Sequence, residues 1–203
     1  MSEAKIRLSQ KEMELVNNAD LILTKNAILQ KANRLLSRLQ EQQLRYLETY
    51  AAKLSDKMFH SSAKISKGEN YKGLPYLLLD YPRVFEKEDI LAIRTMFWWG
   101  NFFSVTLHLS GRYKKEKEEK LLYAYSELKE GGYYWNINKG QWEHHFEIDN
   151  YIPLVQISKA EFEDSVRKNN VIKLANKIDL AQWDNAEELL LIFFKQLIAV
   201  LTD

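Results

Sequence analysis

Cysteine is absent from this chain, and proline and glycine are scarce, with three and seven among 203 residues. Without a thiol there is no disulfide, no thiolate metal site and no cysteine nucleophile, and the composition carries no sign of secretion. An excess of one charge sign is missing too: the formal net charge is +1. Phosphate binding draws on clustered Lys and Arg, so no nucleic-acid partner is expected. No apolar run is long enough to span a bilayer, and residues 1–7 (MSEAKIR) lack the apolar core of a signal peptide. A cytoplasmic protein with no membrane partner is the expectation. The common catalytic and cofactor signatures are also missing: G-x-S-x-G, the phosphate-binding G-x-x-x-x-G-K-[ST], G-x-G-x-x-G and H-E-x-x-H. No cofactor is implied, and the reading leans away from an enzyme.

What the chain does contain is a hairpin signal. From Ile90 to Ser110 two alternating apolar runs flank Gly100-Asn101. A two-residue turn would mix polar and apolar side chains on both faces. A three-residue loop separates them: Leu91, Ile93, Phe97 and Trp99 then share a face with Phe103, Val105, Leu107 and Leu109. Arg94, Met96 and Trp98 share the other with Ser104, Thr106 and His108. Because a one-residue slip exchanges the faces, the buried pattern selects the three-residue loop.

Around the hairpin the pattern is mostly helical. No Pro or Gly occurs before Gly68; Ser9-Gln-Lys-Glu12 reads as a capping box, with Leu8 and Met13 at staple spacing. A stripe through Ile28, Ala32, Leu35, Leu36, Leu39, Tyr46, Leu47, Tyr50, Leu54 and Met58 predicts helix, with a break between Asn17 and Asn26. Residues 61–73 read as a connection into the sheet, and 74–81 as a strand ended by Pro82. The run 112–120 alternates Lys and Glu, a solvated helix face with Lys114–Glu118 and Glu116–Lys120 at i,i+4, in a helix stopped by Gly131-Gly132. A second hairpin is predicted from 133–137 and 141–147 around Asn138-Lys-Gly140. Ser158-Lys-Ala-Glu161 caps a further helix, 171–178 reads as a possible strand, and Asp184-Asn-Ala-Glu187 caps a closing helix that is apolar nearly all round.

Two constellations could carry chemistry. On the less apolar face of the first hairpin Arg94 and His108 are expected to stand across from each other. With Trp98, Ser104 and Thr106 they offer a cation, an imidazole, two hydroxyls and an aromatic wall for a small anionic ligand. A solvent-facing sheet surface, or a covering helix whose carboxylate pairs with Arg94, explains the same residues. Glu143, His145 and Glu147 share one face if their segment is extended, and imidazole with carboxylates can hold a divalent metal. Alternating polar residues on an exposed strand explain that spacing equally well.

At residues 72–85 (KGLPYLLLDYPRVF) and 97–109 (FWWGNFFSVTLHL) the chain resembles uncharacterised bacterial proteins of Bacteroidota type. The resemblance implies no activity and no functional residue. The sequence therefore predicts one α+β domain over 1–203: helical 1–60, sheet-forming 74–147 with an inserted helix, and closing helices with a possible strand over 158–203. Its sheet should be predominantly antiparallel, of five or six strands. The expected function is a non-enzymatic binding or assembly protein that self-associates as a homodimer. The alternatives are an anionic-ligand protein or enzyme using the 90–110 hairpin, and a metal site at Glu143, His145 and Glu147.

Overall fold

The computed structural model describes residues 5–50 and 56–202. Where glycine and proline are absent the chain opens in helix. Ser9 caps α1 (Gln10–Asn17) through the predicted capping box with Glu12. The expected break falls at Asn18, whose side chain accepts the Leu21 N–H and starts α2 (Ala19–Glu48), 30 residues and about 45 Å long. The short α3 (Asp56–Phe59) carries the buried Met58, whereas Leu54 lies outside the described residues.

Seven strands form one antiparallel sheet: β1 (Lys64–Tyr71), β2 (Leu74–Phe85), β3 (Ile90–Trp98), β4 (Phe102–Ser110), β5 (Tyr134–Asn136), β6 (Tyr151–Pro153) and β7 (Val171–Asp179), in the order β1-β2-β3-β4-β7-β5-β6. Between β4 and β5 come α4 (Gly111–Tyr123) and α5 (Tyr125–Glu130); α6 (Lys159–Lys168) precedes β7, and α7 (Ala186–Thr202) closes the chain. The fold is α+β with an antiparallel sheet. Phe97 pairs with Phe103 and Leu91 with Leu109, so the first hairpin has the three-residue loop that its pattern selects.

One face of the sheet is dry. Leu77, Leu79, Leu91, Ile93, Phe97, Phe103, Val105, Leu107, Leu109, Ile172 and Leu174 pack there against α2, α4, α6 and α7. The apolar α7 is covered on most sides, with Leu190, Phe194, Leu197, Ile198 and Leu201 fully buried. At about 1.5–3 kcal/mol for each fully buried large aliphatic or aromatic side chain, this face supplies the bulk of the folding free energy.

Several local expectations are corrected. Residues 61–73 are not simply a connection, because β1 runs through them; its Lys64, Lys67 and Glu69 belong to a half-exposed edge strand. β2 does not stop at Pro82 but continues to Phe85, past a register irregularity between Asp80 and Arg83 where the ladder skips. The last cap is Asp179, which opens a 3-10 turn over Leu180–Asn185 ahead of α7, rather than Asp184. Lys114 is buried within the charged helix face, paired with Glu118.

The largest correction concerns the second hairpin. β5 is only three residues long and pairs with β6 and β7, and residues 141–147 form no strand. Instead Asn136 Nδ2 donates to the backbone oxygen of Asn150 (2.9 Å) and to its Oδ1 (2.8 Å), and Ile137 N–H donates to the same carbonyl (2.9 Å). These bonds pinch the ends of 137–150 together, so the segment leaves the sheet as a closed strap.

Candidate functional site

The strap lies over the second face of the sheet. Side-chain parity puts Leu78 and Asp80 of β2, Arg94, Met96 and Trp98 of β3, Phe102, Ser104, Thr106 and His108 of β4, and Lys173 and Lys177 of β7 on that face. Tyr151 of β6 pairs with Asn136 and joins them. At the Trp98 end the contacts are apolar, with Leu78, Met96, Trp98 and Phe102 clustering under Phe146 of the strap. Phe146 also stacks on Tyr151 at 4.8 Å.

The other end is polar and sealed. Arg94 forks onto Asp80, with Nε to Oδ1 at 2.7 Å and Nη2 to Oδ2 at 2.9 Å, both side chains largely buried. Its remaining Nη1 lies 3.2 Å from His144 Nε2. A guanidinium can only donate, so His144 Nε2 accepts and its proton sits on Nδ1. Burial, then the charges of Arg94 and Lys173, push the His144 imidazole down to about 3. His108 is pushed down to about 3 as well, by burial first and then by Lys173 and Arg94. Its ring lies 5.3 Å from Trp142 of the strap, and its Nε2 has no hydrogen-bond partner among the described residues.

Lys173 is the second cation of this layer and is 1% exposed. Its Nζ donates to the strap carbonyls of Glu143 (2.8 Å) and Gly140 (3.4 Å), and burial lowers it to about 8. At the far edge of the sheet Tyr71 fastens the strap. Its hydroxyl accepts the backbone N–H groups of His144 (2.7 Å) and His145 (3.0 Å) and donates to Glu143 Oε2 (3.0 Å). Burial outweighs those two donors and pushes the phenol up to about 12.

The structure therefore brings Arg94, Trp98, Ser104, Thr106 and His108 onto one face, all of them covered or nearly so. Arg94 pairs with Thr106 and His108 with Ala92, so Arg94 and His108 are diagonal neighbours rather than opposite each other. The cover is a strap and not a helix, and the carboxylate that engages Arg94 comes from the neighbouring strand. Glu143, His145 and Glu147 do converge, although no strand aligns them: His145 Nε2 is 3.5 Å from Glu143 and its Nδ1 is 3.7 Å from Glu147. Sequence reasoning missed Asp80, His144, Lys173 and Tyr71 as members of this layer. His144 sits between the residues of the extended-strand pattern, and only the pairing of two histidines between Trp142 and Phe146 marked it.

Comparison with protein-family models, curated proteins and solved structures returned no match.

A second surface stands apart from the sheet. The inward stripe of α2 runs through Ala32, Leu36, Leu39, Gln43 and Leu47. Seven residues before Ile28 and Leu29, the side chains of Leu21 and Ile22 continue that stripe yet are about half exposed. The ion pair Lys25–Glu69 at 2.6 Å ties the helix to β1 where this overhang begins. Beside it a cleft of about 520 Å³ opens between α2 and the first two strands, lined by Leu29, Asn33, Arg34, Lys67, Tyr76 and Leu77. Ahead of the overhang, α1 has no buried residue, although it carries Met13, Leu15 and Val16. Among the described residues no helix is long and apolar enough to cross a membrane.

Proposed function

We propose that this chain is a non-enzymatic, cytoplasmic assembly protein that pairs with a second copy of itself through the helical arm formed by residues 6–24. One observation carries the reading: an eight-residue helix with no buried side chain, followed by an overhang whose apolar stripe continues that of the packed part of α2. Isolated helices shorter than about 12–15 residues are marginal in water, so α1 needs a covering surface to persist. Val16 is 67% exposed and Leu23 63%, and Leu8, Met13, Leu21 and Ile22 are each about half exposed, so the arm shows large apolar side chains to solvent of the kind that mark an interaction site.

The charge order of the arm favours a second copy as the occupant. Arg7 and Lys11 come first, and Glu12, Glu14 and Asp20 follow. A twofold interface must be self-complementary, and antiparallel pairing of two arms lays the basic half of each on the acidic half of the other. The absence of cysteine from the chain suits a reducing compartment.

Light scattering coupled to size exclusion over a range of concentrations tests the proposal. A dimer is expected for the native chain and a folded monomer for Val16→Asp and Ile22→Asp, since both positions are exposed. A strict monomer at high concentration, or a dimer untouched by both substitutions, overturns it.

Lys173 favours a second reading, in which a small anion binds beneath the strap when it lifts. Arg94 is already engaged by Asp80, whereas Lys173 Nζ donates to neutral carbonyls, with the Glu143 carboxylate acting on it through charge alone. Phosphate and citrate should then raise the melting temperature of the native protein and leave Lys173→Met unmoved; no shift in the native protein removes this reading.

A further inference from the structure

We infer that the returning limb of the strap is a divalent transition-metal site, with His145 Nδ1 and one carboxylate oxygen each from Glu147 and Asp149 as its protein ligands. His145 is 3% exposed, and its Nδ1 is buried without a hydrogen-bond partner among the described residues. Glu147 Oε2 and Asp149 Oδ1 each lie 3.7 Å from that nitrogen, and ligand atoms of the three residues lie within 4.8 Å of one another. These separations are too long for hydrogen bonds and close to what a shared ion needs. With bonds of about 2.0–2.2 Å, tetrahedral ligand atoms stand roughly 3.3–3.5 Å apart. Small rotations of two exposed carboxylates close the set.

The surroundings are those of a metal-bound imidazole. The other ring nitrogen, Nε2, lies 3.5 Å from Glu143 Oε2, which stands where the outer carboxylate of a metal-bound imidazole belongs. The backbone of the limb is held in place. Asn150 Nδ2 donates to His145 O at 2.5 Å, and the N–H groups of Asn150 and Tyr151 donate to Glu147 O at 2.9 and 3.0 Å. Lys72 Nζ, 3.4 Å from the Glu147 oxygen, is the competing cation. Displacing it costs little, because the pair is exposed to solvent.

One imidazole with two carboxylates suits zinc or manganese better than the all-oxygen preference of calcium or magnesium. The two carboxylates balance the charge of the ion, and their exposure leaves its remaining positions to water. A bound ion would fasten the turn over 147–150 and hold the strap shut. This inference is independent of the assembly proposed above.

The test is titration of chelator-treated full-length protein with zinc chloride and with manganese chloride, followed by calorimetry and thermal shift. One ion per chain should bind and raise the melting temperature. Glu147→Gln and Asp149→Asn, both at exposed positions, should each weaken binding at least tenfold, and Glu143→Gln about tenfold through the imidazole. If His145→Ala fails to fold, the two exposed variants decide alone. No saturable binding of either ion up to millimolar concentration, or binding unchanged in both exposed variants, overturns the site.

Discussion

The two faces of one sheet are built by opposite means. The dry face is covered by helices and held by apolar area, so no single contact specifies it. The strapped face is covered by 14 residues without regular structure and held at its polar end by specific pairings: Arg94 on Asp80 and His144, Lys173 on two carbonyls, Tyr71 on two N–H groups. Volume secures the first and valence the second. A neutral apolar swap should be tolerated on one side where removal of a single polar atom is not tolerated on the other.

The sharpest break of the dry face is Phe103→Ala, which leaves a cavity at a fully buried position. It should cost about 3–5 kcal/mol in urea denaturation. On the strapped face Arg94→Met alone should cost about 3–4 kcal/mol, because Asp80 is left buried and unpaired. Adding Asp80→Leu to it should restore most of the loss, since both charges are then gone. If the double variant is no better than the single one, the contrast between the two faces fails.

Tyr71→Phe should be milder, about 1–3 kcal/mol, through loss of the acceptor for two buried strap amides. Hydrogen exchange should rise at His144 and His145 while α7 and β4 keep their protection. The most gradual effect is that of acid. His108 and His144 are held neutral in the folded chain, with values near 3 against an ordinary 6.5. The unfolded chain therefore binds more protons below pH 6.5, and stability falls as pH drops through that value and on toward 3. The slope is about 1 kcal/mol per pH unit per histidine. His108→Gln should flatten the melting temperature between pH 6.5 and 5.5; an unchanged slope would place the acid response elsewhere.

The same contrast explains what could be read from the sequence. The dry face announces itself, because Leu91, Ile93, Phe97, Phe103, Val105 and Leu107 alternate and their parity yields a register that the structure reproduces. Capping chemistry is local, so Ser9 with Glu12 and Ser158 with Glu161 were legible as helix starts. β1 was hidden because Lys64, Lys67 and Glu69 serve an edge strand that needs few apolar residues. The strap was misread because Trp142, His144 and Phe146 alternate with Glu143, His145 and Glu147 much as a strand would. Their partners, Tyr71, Arg94 and Lys173, lie far away in the chain, and no local spacing reports them. The convergence of His145 with Glu143 and Glu147 survived that misreading, since a tight loop also gathers residues two apart; Asp149 joins only through the turn that follows.

The bond from Tyr71 to the strap joins positions more than 70 residues apart, and that separation sets an order of events. A loop of that length is slow to close and returns little enthalpy until every partner is in place. The first four strands, β1 with its phenol among them, can therefore zip locally while the strap waits for β7 to deliver Lys173. The strapped face should therefore form no earlier than the pairing of β4 with β7, whose partners Phe102 and Asp179 lie just as far apart in the chain.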